Sequence, residues 1–255
     1  MKGSGGGSAA SGVACALVAG AVCGGLAPDA RASEACTGEP YVHLYRLKAA
    51  ESAATDVLEQ ALAVLKRRLS GPATCTLEGS INADGTLALR TTGTLADGPL
   101  VPAMLAPGVL AVYPVLAAGT QPGPGIAVLP GAAGEPVTVR WVSLLHPDAV
   151  AGAEALAGVG SDWIVRVDLA ANAAAAFADA TAALAGETAA IAIDDRIVAL
   201  PVLVEPIAGG AFHLEAGFSR ARAEQLAAIL GSGPLPLDLD LLSIELVDGP
   251  VATPQ

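Results

Sequence analysis

The fold is decided by residues 194–236, which read DDRIVALPVLVEPIAGGAFHLEAGFSRARAEQLAAILGSGPLP. Two acidic residues, Asp194 and Asp195, separate two apolar runs and predict a tight turn between two strands. A second chain reversal is predicted at Gly209 and Gly210, because glycine adopts a positive φ without a Cβ clash. The stretch therefore begins as two strands joined by a turn, with a third strand after the glycines.

A helix is predicted to follow this third strand. Ser219 can cap the first free backbone N–H groups of the helix, and Leu226 and Leu230 recur at helical spacing. Residues 231–234 are expected to end the helix, with glycine as the C-terminal cap and Pro234 preventing continuation. Strands and a helix alternate within this one stretch, which is typical of an α+β domain.

Four short motifs in this order resemble the first periplasmic domain of the SecD/SecDF family. In that family the motifs are an Asp-Gly-containing turn ending in Ser-Ala-Pro, an Ile-x-Gly-Gly turn, a Phe-Thr-x-x-Glu-Ala-x-x-Leu-Ala helix and a Gly-x-Leu-Pro segment. The corresponding residues here are 194–201, 207–210, 218–230 and 233–236. Upstream, Phe177 and Thr181 resemble the family's Phe-x-x-x-Thr helix, so the resemblance extends over residues 135–247.

The resemblance implies a ferredoxin-like base that carries a head subdomain, and contact with a polypeptide during export. Three positions depart from the family pattern. Asp195 stands where the family usually has glycine, Arg222 where it has an acid, and Gly217 one place later than the usual glycine. SecD proteins cross the membrane several times, and nothing after Gly233 resembles such a span. We therefore expect a protein that acts without a transmembrane motor of its own.

Residues 1–32 are predicted to be a signal peptide. Lys2 precedes an apolar run over 13–27, which is too short and glycine-rich for a membrane span of roughly 20 apolar residues. Residues 30–32 then give a small-x-small cleavage pattern. The alternatives are an uncleaved anchor or a lipoprotein modified at Cys23, although the residue before that cysteine is bulky. We expect export to the periplasm or the extracellular space.

Charge and cysteine content narrow the functional classes. The formal net charge is −12, and an acidic surface repels phosphate backbones and anionic lipids, which argues against nucleic-acid partners. After loss of a signal peptide Cys36 and Cys75 remain, and a disulfide between them is expected in an oxidising compartment. A free thiol is the less favoured alternative. Two cysteines without a nearby histidine do not make a zinc site, and no cofactor is predicted.

The base is predicted at residues 33–120 as a β-α-β-β-α-β pattern, which is ferredoxin-like. Its elements are predicted as a strand at 41–47, a helix at 52–69, strands at 75–81 and 86–92, a helix at 98–106 and a strand at 109–116. The helix at 52–69 has apolar residues at helical spacing and three cations in its last turn, where they complement the helix dipole.

A Pro/Gly-rich linker is predicted at 121–134 and an inserted α+β head at 135–236. Within the head we predict a strand at 136–145, a short helix at 148–156, a strand at 163–169 and a helix at 172–184 capped by Asn172. Residues 237–255 are predicted as a final strand and tail. The resemblance implies that this strand returns to complete the base.

No strong catalytic motif is present, so a non-enzymatic protein is expected. The sequence has no HExxH, CxxC, Walker loop or G-x-S-x-G elbow. The simpler interpretation of Asp194 and Asp195 is that they form a turn. The alternative is an acid/base or calcium-binding pair. Asp238 and Asp240 lie on the same side of a predicted strand. They either belong to a solvated face, which is favoured, or bind a metal ion. The three histidines stand far apart in the sequence.

The apolar faces give the leading functional hypothesis. Helices at 172–184 and 219–230 are expected to cover a head sheet whose other face is partly open, and such a face or edge accepts extended polypeptides. Phe212, Leu214 and Phe218 are the candidate binding residues, with ordinary core packing as the simpler alternative. The predicted role is an accessory of protein export that binds unfolded or exported polypeptide and Sec membrane subunits. The alternative is a module that binds a small ligand or surface partner, and a hydrolase is the weakest option.

Overall fold

The computed structural model describes residues 41–70, 76–92 and 100–248, and within these ranges it has four helices and twelve strands. The helices are α1 (Thr55–Leu69), α2 (Leu100–Leu105), α3 (Ala171–Ala182) and α4 (Arg220–Gly231). The strands are β1 (Tyr41–Ala49), β2 (Thr76–Ile81), β3 (Leu87–Thr92), β4 (Leu110–Pro114), β5 (Ile126–Pro130), β6 (Pro136–Arg140), β7 (Val150–Ala157), β8 (Trp163–Leu169), β9 (Ala189–Ile193), β10 (Arg196–Ala199), β11 (Ala211–Phe218) and β12 (Leu239–Asp248). The predicted α+β class is confirmed.

The base is a four-stranded sheet in the order β12-β1-β3-β2, with every neighbouring pair antiparallel. Its elements follow the order β1-α1-β2-β3-α2-β12, which is the ferredoxin-like pattern. Helix α1 covers one face because Leu58, Leu62 and Leu65 recur on one side of it and are buried. The predicted helix at 52–69 is confirmed, although it begins three residues later than expected.

The strand that completes the base is β12, and the expectation of a completing strand at 109–116 is wrong. The residues of that strand form β4, which pairs with β9 of a different sheet. All five positions of β4 are buried, so the strand needs packing layers on both faces, and the head supplies them. In the base, β12 pairs with β1 from Tyr41 opposite Asp248 to Ala49 opposite Leu239. The limits of the subdomains stay predictions.

The head is layered around the sheet β10-β9-β4. Leu110 and Val112 of β4 face a core shared with α3, α4 and the antiparallel sheet β11-β8-β7. Ala111 and Tyr113 face the opposite way, toward the hairpin β5–β6. Alternate side chains of one strand thus enter two separate cores, which explains why β4 is apolar at successive positions.

Two local predictions, one in the linker and one in the head, are wrong. The linker at 121–134 contains strand β5, which pairs with β6 as a hairpin. The helix predicted at 148–156 is strand β7, which pairs with β8 along most of its length. This segment is rich in alanine and glycine, so its spacing does not separate strand from helix, and pairing with β8 decides the outcome. The strand predicted at 163–169 is confirmed as β8.

The turn predicted between β9 and β10 is confirmed. Asp194 and Asp195 have φ values of 51° and 60°, as a two-residue hairpin turn of the primed type requires. Glycine adopts this conformation at lower cost than aspartate, which gives a physical reason for the glycine that the SecD family usually has at the position of Asp195.

The ends of α4 follow the predicted chemistry. The Ser219 Oγ accepts a hydrogen bond from the Arg222 N–H at 3.3 Å, so this residue is the predicted N-cap. Gly231 is the last helical residue, and Gly233, with φ of 82°, takes the left-handed conformation that ends the helix, in agreement with the predicted glycine stop at 231–234.

Helix α3 begins without a side-chain cap. Ala170 occupies the capping position and Asn172 lies inside the helix, so the predicted cap at Asn172 is wrong. Phe177 and Thr181, the two residues of the Phe-x-x-x-Thr motif, are the buried side chains of α3. Among the helices of the described residues, none has the length and apolar character that a bilayer span requires.

Candidate functional site

An apolar groove of about 190 Å³ opens on the head beside α3. Its floor consists of Val112 and Ile191 from the central sheet and Phe177 from α3. The irregular segment 201–207 forms one wall, and Phe212 from the edge strand β11 forms the other. Five different parts of the chain therefore present apolar side chains to one depression. We call this depression the groove.

The groove contains an aromatic pair, Phe177 and Phe212. The rings of Phe177 and Phe212 lie 5.6 Å apart between centroids and are tilted by 37°, an arrangement that aromatic pairs favour. Phe177 is buried, whereas Phe212 is half-buried. The floor of the groove is therefore part of the head core, and Phe212 lies between this core and the solvent.

The wall of the groove has a fixed backbone and exposed side chains. Thr181 is fully buried, and its Oγ1 accepts a hydrogen bond from the Ile207 N–H at 3.0 Å. Leu203 is tied to the loop after α3, because its carbonyl accepts a hydrogen bond from the Gly186 N–H at 2.7 Å. In contrast, the side chains of Val202 and Val204 are 56% and 79% exposed. Two apolar side chains are thus held at the rim where a partner can reach them.

The three candidate binding residues predicted from β11 do not form one surface. Phe212 lines the groove, but Leu214 is fully buried and is a core residue in this structure, which corrects its proposed exposure. Phe218 pairs with Trp163 at the far end of the strand, roughly 20 Å from Phe212 by strand geometry. Sequence reasoning missed Val202 and Val204, because their apolar run looked like the interior of a strand.

The uncovered face of the sheet β11-β8-β7 is charged, contrary to the expected apolar face. Glu154 and His213 are the exposed residues opposite Arg166 on its two neighbouring strands. The Arg166 Nη2 also lies 2.8 Å from the Asp168 Oδ1, with both side chains nearly half-exposed. Such a face is an ordinary solvated sheet surface.

A second feature is a polar contact between the base and the head, centred on Arg68 of α1. This cation is 5% exposed. Its guanidinium donates hydrogen bonds to five acceptors, namely the Ser232 Oγ and the carbonyl oxygens of Ala103, Met104, Ala106 and Gly233. The neighbouring Arg67 donates two more to the Ser232 carbonyl, at 2.9 and 3.2 Å. The cations therefore bind the C-terminal ends of α2 and α4, whereas the sequence suggested their own helix end.

Asp194 completes this contact, which we call the joint. Its Oδ1 accepts hydrogen bonds from the backbone N–H groups of Gly108 and Val109, both at 2.8 Å. Burial raises the pKa of Asp194, against the opposing effect of these bonds and of Arg68. Burial also lowers the pKa of Arg68 to about 10, which leaves it protonated at neutral pH. Gly108, with φ of 79°, has no room for a side chain, because a Cβ there would lie 2.7 Å from the guanidinium.

The described residues offer no cluster of metal-binding side chains. No group of three or more His, Cys, Asp or Glu side chains in them is arranged to hold a metal ion. Asp194 is occupied by the joint, so the turn interpretation of the Asp194–Asp195 pair holds. Asp240 lies opposite Lys48 on an ordinary sheet ladder. The predicted signal peptide, the lipidation alternative at Cys23 and the Cys36–Cys75 disulfide fall outside the described residues and stay predictions.

Comparison with known proteins agrees with this architecture. A family model described as the SecDF P1 head subdomain matches residues 127–237. The protein translocase subunit SecD of Acetobacter pasteurianus is 24% identical over 202 residues, which cover 76% of this chain and 39% of that protein. SecD of Rhodobacter capsulatus is 29% identical over 216 residues, covering 81% of this chain and 39% of that protein.

Solved structures give the same fold. A crystal structure of SecDF in the super-membrane-facing form matches with a TM-score of 0.66 at 21% identity, over 80% of this chain and 30% of that one. A second, from work on a membrane component SecDF that enhances protein export, matches with a TM-score of 0.62 at 20% identity, over 80% of this chain and 100% of that one.

Fold and groove together define an α+β domain with a ferredoxin-like base and an inserted head. The resemblance predicted from the sequence is confirmed: residues 127–237 match the head subdomain of the SecDF first periplasmic (P1) domain, and the chain is similar to SecD proteins over 202 and 216 residues. The matched region accounts for 39% of the length of both SecD relatives.

Proposed function

We propose that this protein binds unfolded or exported polypeptide and assists protein export, without catalysing a reaction itself. The observation that carries the proposal is the groove, with its aromatic floor and the exposed Val202 and Val204 at its rim. Apolar side chains that are held in place but left uncovered are typical of a site that recognises apolar residues of another chain.

The size of the groove suits a side chain of a polypeptide. About 190 Å³ is below the roughly 300–1,000 Å³ of sites that enclose a drug-sized molecule. Phe212 belongs to the edge strand β11, so an extended segment can lie along this edge and place one apolar side chain between Phe212 and Val204. Recognition of this kind depends on apolar character and extended backbone, as a binder of many exported sequences requires.

The relatives support a role in export. The two similar curated proteins are protein translocase subunits, and one similar solved structure is described as a component that enhances protein export. We propose that this chain acts on the periplasmic side, in association with membrane subunits of the Sec machinery. Of the two compartments predicted from the sequence, the periplasm is the one that the resemblance to a P1 domain supports.

Binding to a permanently unfolded, carboxymethylated and fluorescently labelled protein tests the proposal. Val204→Asp places a charge at the rim of the groove and is expected to weaken binding about tenfold, measured by fluorescence anisotropy. Val159→Asp is the matched control, because Val159 is 94% exposed on a loop outside the groove. Equal affinity of the two variants would overturn the groove as the binding site.

A crosslinking experiment in cells tests the partners. A photoreactive residue at Val204 is expected to capture exported chains, and the same residue at Val159 is expected to capture few. Co-purification of Sec membrane subunits with the crosslinked protein supports the association with the Sec machinery. Recovery of neither class from a correctly exported protein would contradict the role in export.

A small-ligand module is the second candidate, and one feature favours it. A cleft of about 520 Å³ lies in the base between residues 50–57 and residues 236–238. Its volume is within the range of small-molecule sites, although its lining is mixed polar and apolar. A ligand that raises the melting temperature, in a protein without affinity for unfolded polypeptide, would favour this candidate over the first.

A further inference from the structure

The groove lies between two strand edges, one formed by its wall and the other by β11. In the wall, the Pro201 carbonyl accepts a hydrogen bond from the Ala189 N–H at 2.9 Å. The Leu203 N–H donates to the Glu187 carbonyl, also at 2.9 Å. Backbone groups alternate in direction along a strand, so the N–H and C=O of Val202 point away from the segment that continues into β9.

The outward side of the wall has no strand partner. In the part of the chain that the structure describes, the N–H and C=O of Val202 form no backbone hydrogen bond, and the same is true of Val204. The alternation that turns Val202 outward also turns Val204 outward, two residues further along. This is the spacing at which a neighbouring strand forms its hydrogen bonds. The wall therefore continues the sheet β10-β9-β4 as an open edge.

The two edges beside the groove differ in their protection against an added strand. β11 carries the exposed side chains of His213 and Glu215, and its pairing with β8 shifts register before Phe218. Charged side chains and irregularities of this kind prevent the addition of a strand. On the wall, the side chains beside the free backbone groups are the exposed, uncharged Val202 and Val204. The wall is thus the edge that is open to pairing.

On the basis of the proposed polypeptide binding, we propose that an exported chain binds in the groove as a strand added to the wall, hydrogen-bonded to the main chain of Val202 and Val204. The added strand extends the sheet β10-β9-β4 by one member. Its alternate side chains enter the groove against Phe212, and the others lie on the opposite face. Main-chain hydrogen bonds supply affinity that is independent of sequence, and the groove selects apolar side chains at alternate positions.

The charges around the groove favour one class of segment. Glu205 follows Val204 and lines the groove, and Glu187 lies on the segment that pairs with the wall. Both side chains are exposed, and none of the ion pairs within the described residues includes either carboxylate. The chain as a whole has a net charge of −12. An extended segment whose apolar residues are flanked by lysine or arginine is therefore favoured over an acidic one.

A peptide with an N-methylated backbone tests the main-chain pairing. The probe is the fluorescein-labelled heptapeptide Lys-Thr-Leu-Thr-Leu-Thr-Lys, and its binding to the full chain is measured by fluorescence anisotropy. Only one alternate set of its N–H groups faces the wall. N-methylation of both leucines, or of the two threonines that follow them, but not of both sets, is therefore expected to weaken binding at least about tenfold. The insensitive set is the matched control for the sensitive one.

Failure of strand pairing is distinguishable from failure of polypeptide binding. Equal effects of methylation in the two sets would overturn the pairing, while binding of the labelled unfolded protein would leave the proposed function in place. Binding of the unfolded protein without any binding of the unmodified peptide would also overturn the pairing. If neither probe binds, the proposed function and the pairing both fail.

Two substitutions at one position test the wall itself. Val202→Pro removes an outward N–H and keeps an apolar side chain, whereas Val202→Ala keeps the N–H and shortens the side chain. The hydrogen bonds of Pro201 and Leu203 do not use this N–H, so thermal melting is expected to show that both variants are folded. Affinity for the heptapeptide is expected to be about fivefold weaker in Val202→Pro than in Val202→Ala. Equal affinities of two folded variants would contradict pairing through Val202.

A charge-reversed peptide tests the preferred class of segment. Glu-Thr-Leu-Thr-Leu-Thr-Glu is expected to bind about tenfold more weakly than the lysine peptide at low salt, and added salt is expected to reduce this difference. Glu205→Gln is expected to reduce it as well. Glu59→Gln, with the same charge change on the exposed side of α1, is the matched control. Equal affinity of the wild type for the two peptides would contradict the preference for basic flanking residues.

Discussion

The joint and the groove use buried and exposed groups in opposite ways. At the joint, the charged Arg68 is almost fully buried and its guanidinium donates hydrogen bonds to five acceptors. At the groove, the apolar Val204 is 79% exposed although the backbone of its segment is hydrogen-bonded in place. One region buries a cation and the other exposes a hydrocarbon, so each departs from the usual distribution of residues.

This difference between the two regions implies that the joint contributes to stability and the groove to binding. A buried cation that loses its acceptors, or acceptors that lose their cation, costs several kcal/mol, so the joint fixes how the base contacts the head. An exposed valine contributes little to folding and is available to a partner. Substitutions in the joint are therefore expected to change the free energy of unfolding, and substitutions at the rim of the groove are expected to change affinity.

The largest loss of stability is expected from Arg68→Met. The substitution keeps an apolar stem but leaves the carbonyl groups at the ends of α2 and α4 without their donor, at a cost of about 3–5 kcal/mol in the free energy of unfolding. Urea denaturation measures this change. Arg222→Met, on the exposed surface of α4, is the matched control and is expected to stay within about 0.5 kcal/mol of wild type. A cost below 1 kcal/mol for Arg68→Met would show that the joint does not hold the two parts together.

A smaller loss of stability is expected from Asp194→Ala. The N–H groups of Gly108 and Val109 lose their shared acceptor, which costs about 2–3 kcal/mol, because partly buried donors are left unpaired. The neighbouring Asp195→Ala keeps these hydrogen bonds and is expected to cost about 1 kcal/mol or less. If both substitutions cost the same, the turn rather than the joint would account for the effect.

The joint also predicts a dependence on pH. Burial raises the pKa of Asp194 in the folded protein above its ordinary value of 3.8. The folded state therefore binds a proton more tightly than the unfolded state, so this contribution to stability is complete below pH 3.8 and is lost as the pH rises through the folded pKa. Relative to Asp194→Asn, which does not titrate, the wild type is expected to lose stability as the pH rises through that window. Urea denaturation of both proteins across the acidic range measures the difference, and the opposite slope would contradict the raised pKa.

The smallest change in stability is expected from Val204→Asp. Because this side chain is mostly exposed, its free energy of unfolding should stay within about 0.5 kcal/mol of wild type. Its affinity for unfolded polypeptide should nevertheless fall about tenfold, which is the sharpest separation between the two regions. A loss of stability comparable to that of Asp194→Ala would mean that the rim belongs to the core.

Local chemistry in the sequence predicted much of the fold but not which elements meet. The Asp194–Asp195 turn, the cap at Ser219 and the helix α1 follow from residues close in sequence, and the structure confirms them. By contrast, β4 and β12 are both apolar runs, and no local pattern tells which of them completes the base. The sheet to which a strand belongs is decided by partners far away in the sequence.

The candidate site was predictable in the same limited way. Phe212 follows a glycine turn on a recognisable strand and does line the groove. Arg68 was visible as a cation at the end of α1, but its acceptors come from residues 35–38 and 164–165 positions away. The exposure of Val204 was missed because it depends on whether another layer packs over this segment. The periodicity of the sequence does not show which segments are covered in this way.

The pairing of Tyr41 with Asp248 has a consequence for the order in which the domain folds. The first and last strands of the base lie side by side, yet the whole head is synthesised between them. Bringing them together closes a very long loop, and such non-local contacts form slowly. During synthesis from the N-terminus, one edge of β1 has no partner until β12 has been made. The head can therefore acquire its structure first, and the base is the last part of the molecule to become complete.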